Sequence, residues 1–435
     1  MITIDFSTDS TYSLQLILPG ITGYVDASLI ISNSKSHIQL SYQQKEILFH
    51  LYKSHSWSCI NGYIIQNGKK YPINLLNCSY QWPWYIYFSF LIHSQKPQKE
   101  LREFSNIYQM DCIVKGAHNW FIEKHSTTNI FACLLDKNKN ITESYTRTKY
   151  YVIENYTQAS HYIIKFKNQK YNLSINTKNT PTGDQETISM NYWTQIRLQT
   201  LVPTTFSTFR EIIQALQELI QILSNTNARI IPFEMRINSS VYNIYSSNLY
   251  FSIASHWKEP FKYFYDIKSK LGRYLNKWLQ QRTILPLCTK AISAYRQQEA
   301  FSTQILLDQI KALENFGNTK CLARNTKDDL KAAILAVNQQ DFKHLFYKKT
   351  FLMKLKGEFP FNKQLTPTLL ANQLRLLRNL YIHPFAQGIV KNPADEHISP
   401  LFLTKDQQMN ERSLKNLSRC LNDLLIFIIC QQINL

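Results

Sequence analysis

From residue 1 to about 200 apolar and polar positions alternate with a period of two. Short aromatic and β-branched runs recur, among them YIYFSFLIH (85–93), KYYVIENY (149–156) and HYIIKFK (161–167), and clusters such as NGKK and DKNKN separate them. Such alternation puts successive side chains on opposite faces of a pleated strand, so it predicts the strands and turns of a mainly antiparallel β domain. At Phe206 the period changes. Phe206, Phe209, Ile213, Leu216, Ile220 and Leu223 recur in steps of three and four, which predicts one amphipathic helix near 206–223. RIIPFEMRI and NLYFSIA come next with strand character, so this helix is expected to pack on the β domain, and the boundary falls near 255.

Beyond Trp257 the strand signal disappears. Helical spacing is found at roughly 259–282, 286–299, 300–316, 327–340, 366–383 and 411–433. The last of these carries Leu414, Leu417, Leu421, Leu424 and Ile428 on one stripe. In FNKQLTPTLL, Thr366 is placed to cap and Pro367 to open the next helix, because a cap needs a side-chain acceptor and the first turn needs no proline N–H. The expected fold class is therefore α+β and multidomain, with a β-rich domain over 1–255 and an all-α bundle over 256–435.

With 435 residues and 44% apolar content the chain can bury more than one core, which excludes full-length disorder. The start, MITIDFSTDSTYSLQL, has no basic stretch followed by an apolar one, and no apolar run reaches the roughly 18 residues of a membrane span. LLIFIIC at 424–430 is too short to cross and reads as core. The eight cysteines are scattered without a C-x-x-C pair, which points to reduced, mostly buried thiols of a cytoplasmic protein without structural zinc. Ten glycines supply neither a phosphate-binding loop nor a dinucleotide fingerprint.

Charge is less evenly spread. The chain carries +19, and from His256 onward there are 27 basic and 14 acidic residues, a net +13, which leaves 22 against 16, or +6, for the longer N-terminal part. The C-terminal part is thus the candidate for a polyanionic partner, nucleic acid or an anionic surface, although charge alone says nothing about chemistry.

Within that basic part the stretch LRLLRNLYIHP, residues 374–384, interrupts an apolar helix with Arg378, Asn379 and His383. The plain reading is a solvated face and then a His that happens to precede Pro384. A second reading is chemical. Pro384 disfavours α geometry at the preceding residue, so the helix should end near His383 and leave its imidazole accessible. At about 100° per residue, Asn379 and His383 share a stripe, whereas Arg378 and His383 lie roughly 140° apart. One helix aligns Asn with His; bringing Arg to His takes a long Arg side chain wrapping round, or a second copy across a two-fold axis.

Arg, a polar residue, three further residues and His near the end of a helix in a C-terminal α bundle is similar to the motif of the HEPN superfamily of metal-independent ribonucleases. The order of a β-rich part before helices resembles its ApeA-like branch, and WKEPFKYFYDIKSKLGRYLNKWLQQ and LLDQIKALENF are similar to that branch's early helices. The likeness covers 257–435 and is looser over the β part. It implies an all-α HEPN bundle, a homodimer with a composite site, and catalytic roles for Arg378, Asn379 and His383. Ile382, where small polar residues are frequent, departs from the pattern. The implied role is defence against phage by abortive infection: RNA, tRNA among the candidates, is cut to halt growth once the β-rich domain senses an unidentified phage-derived trigger.

The chemistry asks for the same residue types. RNA carries its nucleophile in the 2′-OH and needs a base to take that proton and a cation to hold charge on the phosphate. A His near its ordinary pKa serves the first need and a guanidinium fork the second. The expected ends are a 2′,3′-cyclic phosphate and a 5′-OH, with no metal or other cofactor. Lys348, Lys349 and Arg375 are candidates for phosphate contact. Glu314, in KALENF, could position Arg378 or His383, against a solvated or capping role; His118 and His125 find no carboxylate or Cys to complete a metal set. Two rivals share the same features: a non-catalytic RNA-binding protein and a dimerising scaffold.

Overall fold

A computed structural model describes residues 9–32, 36–41, 56–81, 85–94, 106–121, 134–135, 141–143, 157–183, 188–238, 240–246, 262–282, 285–297, 302–319, 329–338, 367–382 and 410–433. Two compact units emerge, Met1–Gln214 with Ala228–Ala254, and Ala215–Asn227 with Ser255–Leu435.

The first unit is organised by one 13-stranded sheet in which every described pairing is antiparallel. Strands β1 (Ser10–Ile17), β2 (Val25–Ile31), β3 (His37–Leu40), β4 (Ser56–Gln66), β5 (Lys69–Gln81) and β6 (Tyr85–Tyr87) close on themselves, because β5 pairs with β4 on one side and with β6 on the other. Closure leaves this set of six without an open edge. Its interior is filled by the inward half of the alternating pattern, including Leu14, Leu16, Leu29, Ile38, Ile64, Ile73, Leu75 and Ile86.

β7 (Phe90–Ser94) pairs with an earlier stretch of β5 and starts an open extension. It continues through β8 (Ile107–Lys115), β11 (Thr157–Phe166), β12 (Gln169–Gly183), β13 (Ile188–Thr204), β14 (Arg229–Ile237) and β15 (Ser240–Ser246), in the spatial order β7, β15, β14, β8, β13, β12, β11. The short pair β9 (Leu134–Leu135) and β10 (Ile141–Glu143) stands apart. The run YIYFSFLIH is therefore two strands that meet β5 at different places.

The helix expected near 206–223 is α1, Phe206–Ser224. Its first half lies against the sheet, with Phe206 edge-on to Phe90 at 5.5 Å and Phe209 edge-on to Tyr171 at 6.0 Å. Its second half, from Ala215, groups with the helical unit, where Glu218 accepts hydrogen bonds from Trp278 Nε1 (3.2 Å) and Arg282 Nη2 (2.8 Å). Ile212, Ala215, Leu219 and Ile222 form a second buried face beside the one the spacing shows.

Beyond residue 270 the described elements are helices α2 (Leu271–Gln281), α3 (Pro286–Gln297), α4 (Thr303–Thr319), α5 (Asp329–Asn338), α6 (Pro367–Ile382) and α7 (Glu411–Gln432). Ahead of α2 the expected continuous helix is broken into one α turn, Phe264–Ile267, and one 3₁₀ turn, Lys268–Lys270. Asn410 caps α7, accepting from Ser413 N at 3.2 Å, and Leu424–Cys430 is buried throughout, as a core segment should be. Pro367 is the first residue of α6; Thr366 lies outside the described residues.

The expected fold class is corrected here. The N-terminal part is a closed antiparallel barrel with further strands added to one 13-stranded sheet, and the C-terminal part is a helical region and not an all-α HEPN bundle. That region is completed by Ala215–Asn227, supplied from before two strands of the sheet. Period-two alternation assigns strands without saying that a sheet closes, and one helical stripe does not reveal a second partner.

Candidate functional site

Helix α6 buries Leu370, Ala371, Leu374 and Leu377, which turns Arg375 and Arg378 toward a partly open face. Three residues apart, these two arginines are neighbours on one side of the helix. Both line a cleft of about 550 Å³ together with Glu314, Asn315 and Asn318 from α4 and Asp329 and Leu330 at the start of α5.

Helices α4 and α5, which both line this cleft, meet closely. A Cβ built on Gly317 would lie 2.2 Å from the carbonyl oxygen of Asp329, so only glycine lets the two backbones approach as they do. Asn315, next to the ion-pairing carboxylate, has a buried Oδ1 that finds no hydrogen-bond partner among the described residues.

Arg378 is held from two helices. Its Nη1 forms an ion pair with Glu314 Oε1, and the two side chains are 28% and 24% exposed. Asn379 Oδ1 accepts from Nε at 3.4 Å and from Nη2 at 3.2 Å of the same guanidinium. Arg375 reaches back along its own helix, donating from Nη1 to Asn372 Oδ1 at 3.3 Å. Burial pushes the phenol of Tyr381, the penultimate residue of α6, above its usual range.

Of the sequence-predicted residues, Arg375, Arg378 and Asn379 come together on one side of the cleft or beside it. His383, Lys348 and Lys349 lie outside the described residues, as does His125, while His118 opens the one-turn helix His118–Phe121. Glu314, a quarter exposed, is the ion-pair partner of Arg378. Asn315, Asn318 and Asp329 were not singled out by the sequence. The trace of the two asparagines is the polar run in ENFGN, where an amphipathic helix carries Glu, Asn and Asn at i, i+1 and i+4 with a glycine between.

The arrangement offers two guanidinium groups beside carboxylates and amides, a set suited to an anionic, hydrogen-bonding ligand. Among the described residues no three His, Cys, Asp or Glu side chains converge as metal ligands. No helix among them is long and apolar enough to cross a membrane. No family model, no curated protein and no solved structure matches this chain.

Proposed function

We propose that this protein is a metal-independent RNA endonuclease that acts in the cytoplasm as an anti-phage, abortive-infection effector. The observation that carries the reading is Arg378, held by Glu314 and Asn379 at the rim of a cleft large enough for a nucleotide. Four positions after Asn379 in the sequence, His383 supplies the base within the likeness of R-N-x₃-H to the HEPN ribonuclease motif. Arg378 stabilises charge on the scissile phosphate and His383 takes the proton of the attacking 2′-OH, with Arg375 and the lysines of FYKKT as further phosphate contacts. The β-rich unit senses the trigger, and two protomers supply one site.

Incubating the purified protein with total RNA and with DNA in EDTA tests the reading. RNA fragments ending in 2′,3′-cyclic phosphate and 5′-OH, with DNA intact, support it. Activity that appears only on adding magnesium or manganese refutes the metal-free route. A second reading, RNA retention without cleavage, draws on the fact that Arg378 is already paired; in the same assay it yields bound but intact RNA.

A further inference from the structure

We infer that Glu314 is the positioning residue of the site: it holds the Arg378 guanidinium in the orientation in which it meets a phosphate. The inference rests on the ribonuclease reading of the cleft and gives Glu314, the partner of Arg378 there, a part in the rate of the reaction.

Three observations converge on Glu314. Its carboxylate pairs with Arg378 Nη1, although the two residues are 64 positions apart and sit on different helices. The other side of the guanidinium is fixed by Asn379 Oδ1, so the fork is held from α4 at one end and from α6 itself at the other. Finally, α4 is packed backbone to backbone against α5 close to Glu314, because Gly317, three residues further on, lies directly on the Asp329 backbone. A long, flexible side chain is thereby confined to one place before any ligand arrives.

Confinement does not exhaust the fork. A guanidinium has five N–H groups, and Nη1 and Nη2 each carry a second hydrogen beyond those needed for the contacts with Glu314 and Asn379. Arg378 can therefore keep its clamp and still donate to a phosphate oxygen. A carboxylate suits this task better than an amide, since a charge-assisted bond is shorter and stronger than a neutral one. Losing it lets the cation wander, and a displacement of about 1 Å can cost on the order of a hundredfold in rate.

The test compares Glu314→Ala and Glu314→Gln with wild type in single-turnover and steady-state RNA cleavage, alongside thermal melting and a pH–rate profile. We expect Glu314→Ala to lower kcat by on the order of a hundredfold with KM changed much less. Glu314→Gln, which keeps an acceptor for Nη1, should recover part of that loss. The pH midpoint should stay where wild type has it, because Glu314 moves no proton. Wild-type activity with an unimpaired Glu314→Ala enzyme overturns the inference and leaves the ribonuclease reading standing. A loss matched by unfolding in both variants, a pure KM effect, or a displaced pH midpoint also overturns it. A wild-type protein that cuts no RNA removes the reading itself, and the inference with it.

Discussion

Gly317 lies against the backbone of Asp329 so closely that a methyl group on it would fall 2.2 Å from the Asp329 carbonyl oxygen. Backbone cannot yield as a side chain can, so Gly317→Ala must push α4 and α5 apart. The expected cost is about 1–3 kcal/mol, the range for overpacking a close contact, although alanine is the better helix former by about 1 kcal/mol. Thermal and denaturant melts measure the cost. A Gly317→Ala protein as stable as wild type would show that the two helices do not approach in this way.

Gln309 and Ser418 are both fully buried and bond reciprocally, with Ser418 Oγ donating to Gln309 Oε1 at 2.8 Å and Gln309 Nε2 donating to the Ser418 carbonyl at 3.0 Å. Ser418→Ala leaves the Gln309 oxygen without that donor and should cost about 1–3 kcal/mol. Adding Gln309→Leu removes the stranded group, so the double variant should cost less than the sum of the singles. Strict additivity in urea melts would show that the two residues do not act as a pair.

The Cys288 thiol is pushed up to about 12 by burial, from an ordinary value of 9.0. Because the folded pKa lies above the unfolded one, the stabilisation is fully present below pH 9 and is lost as pH rises from 9 toward 12. At pH 8 the folded thiol should be almost wholly protonated and alkylate far more slowly than a free cysteine, with rapid labelling after denaturation. Mass spectrometry of the Cys288 peptide after iodoacetamide treatment decides it. Fast labelling of native protein contradicts the burial.

Arg378→Ala and His383→Ala should each abolish RNA cleavage while leaving the fold intact, since neither belongs to the apolar stripe of Leu370, Leu374 and Leu377. Either variant retaining more than a tenth of wild-type turnover, worth about 1.4 kcal/mol at the transition state, would remove that residue from the mechanism. Cleavage should also fall as pH drops below the His pKa, because the base must be neutral to accept a proton.

Mixing the same two variants tests the composite site. On one helix Arg378 and a residue five positions later point roughly 140° apart. If each site takes Arg378 from one protomer and His383 from its partner, subunit exchange between the inactive variants restores part of the activity. A mixture that stays inactive shows that one chain supplies both, and full activity of a monomer at nanomolar concentration ends the two-chain mechanism.

Local periodicity determined a great deal. Strand character of RIIPFEMRI became β14, helical spacing placed α3 to α7 to within a few residues, and Pro367 opened α6 as its missing N–H allows. These features depend on neighbours within a few positions, which the sequence displays directly. Arg378 and Asn379 were legible for the same reason, as polar interruptions of one apolar helix. Closure of β1–β6 was not legible, because β5 meets β4, β6 and β7 through pairings that alternation leaves unassigned. Nor was the division of α1 between two units, since its second buried face has meaning only once Trp278 and Arg282 stand against Glu218. The same holds for the cleft. Glu314 is one carboxylate among the chain's 30 acidic residues until α4 is laid beside α6, and a contact across 64 positions is decided by packing and not by spacing.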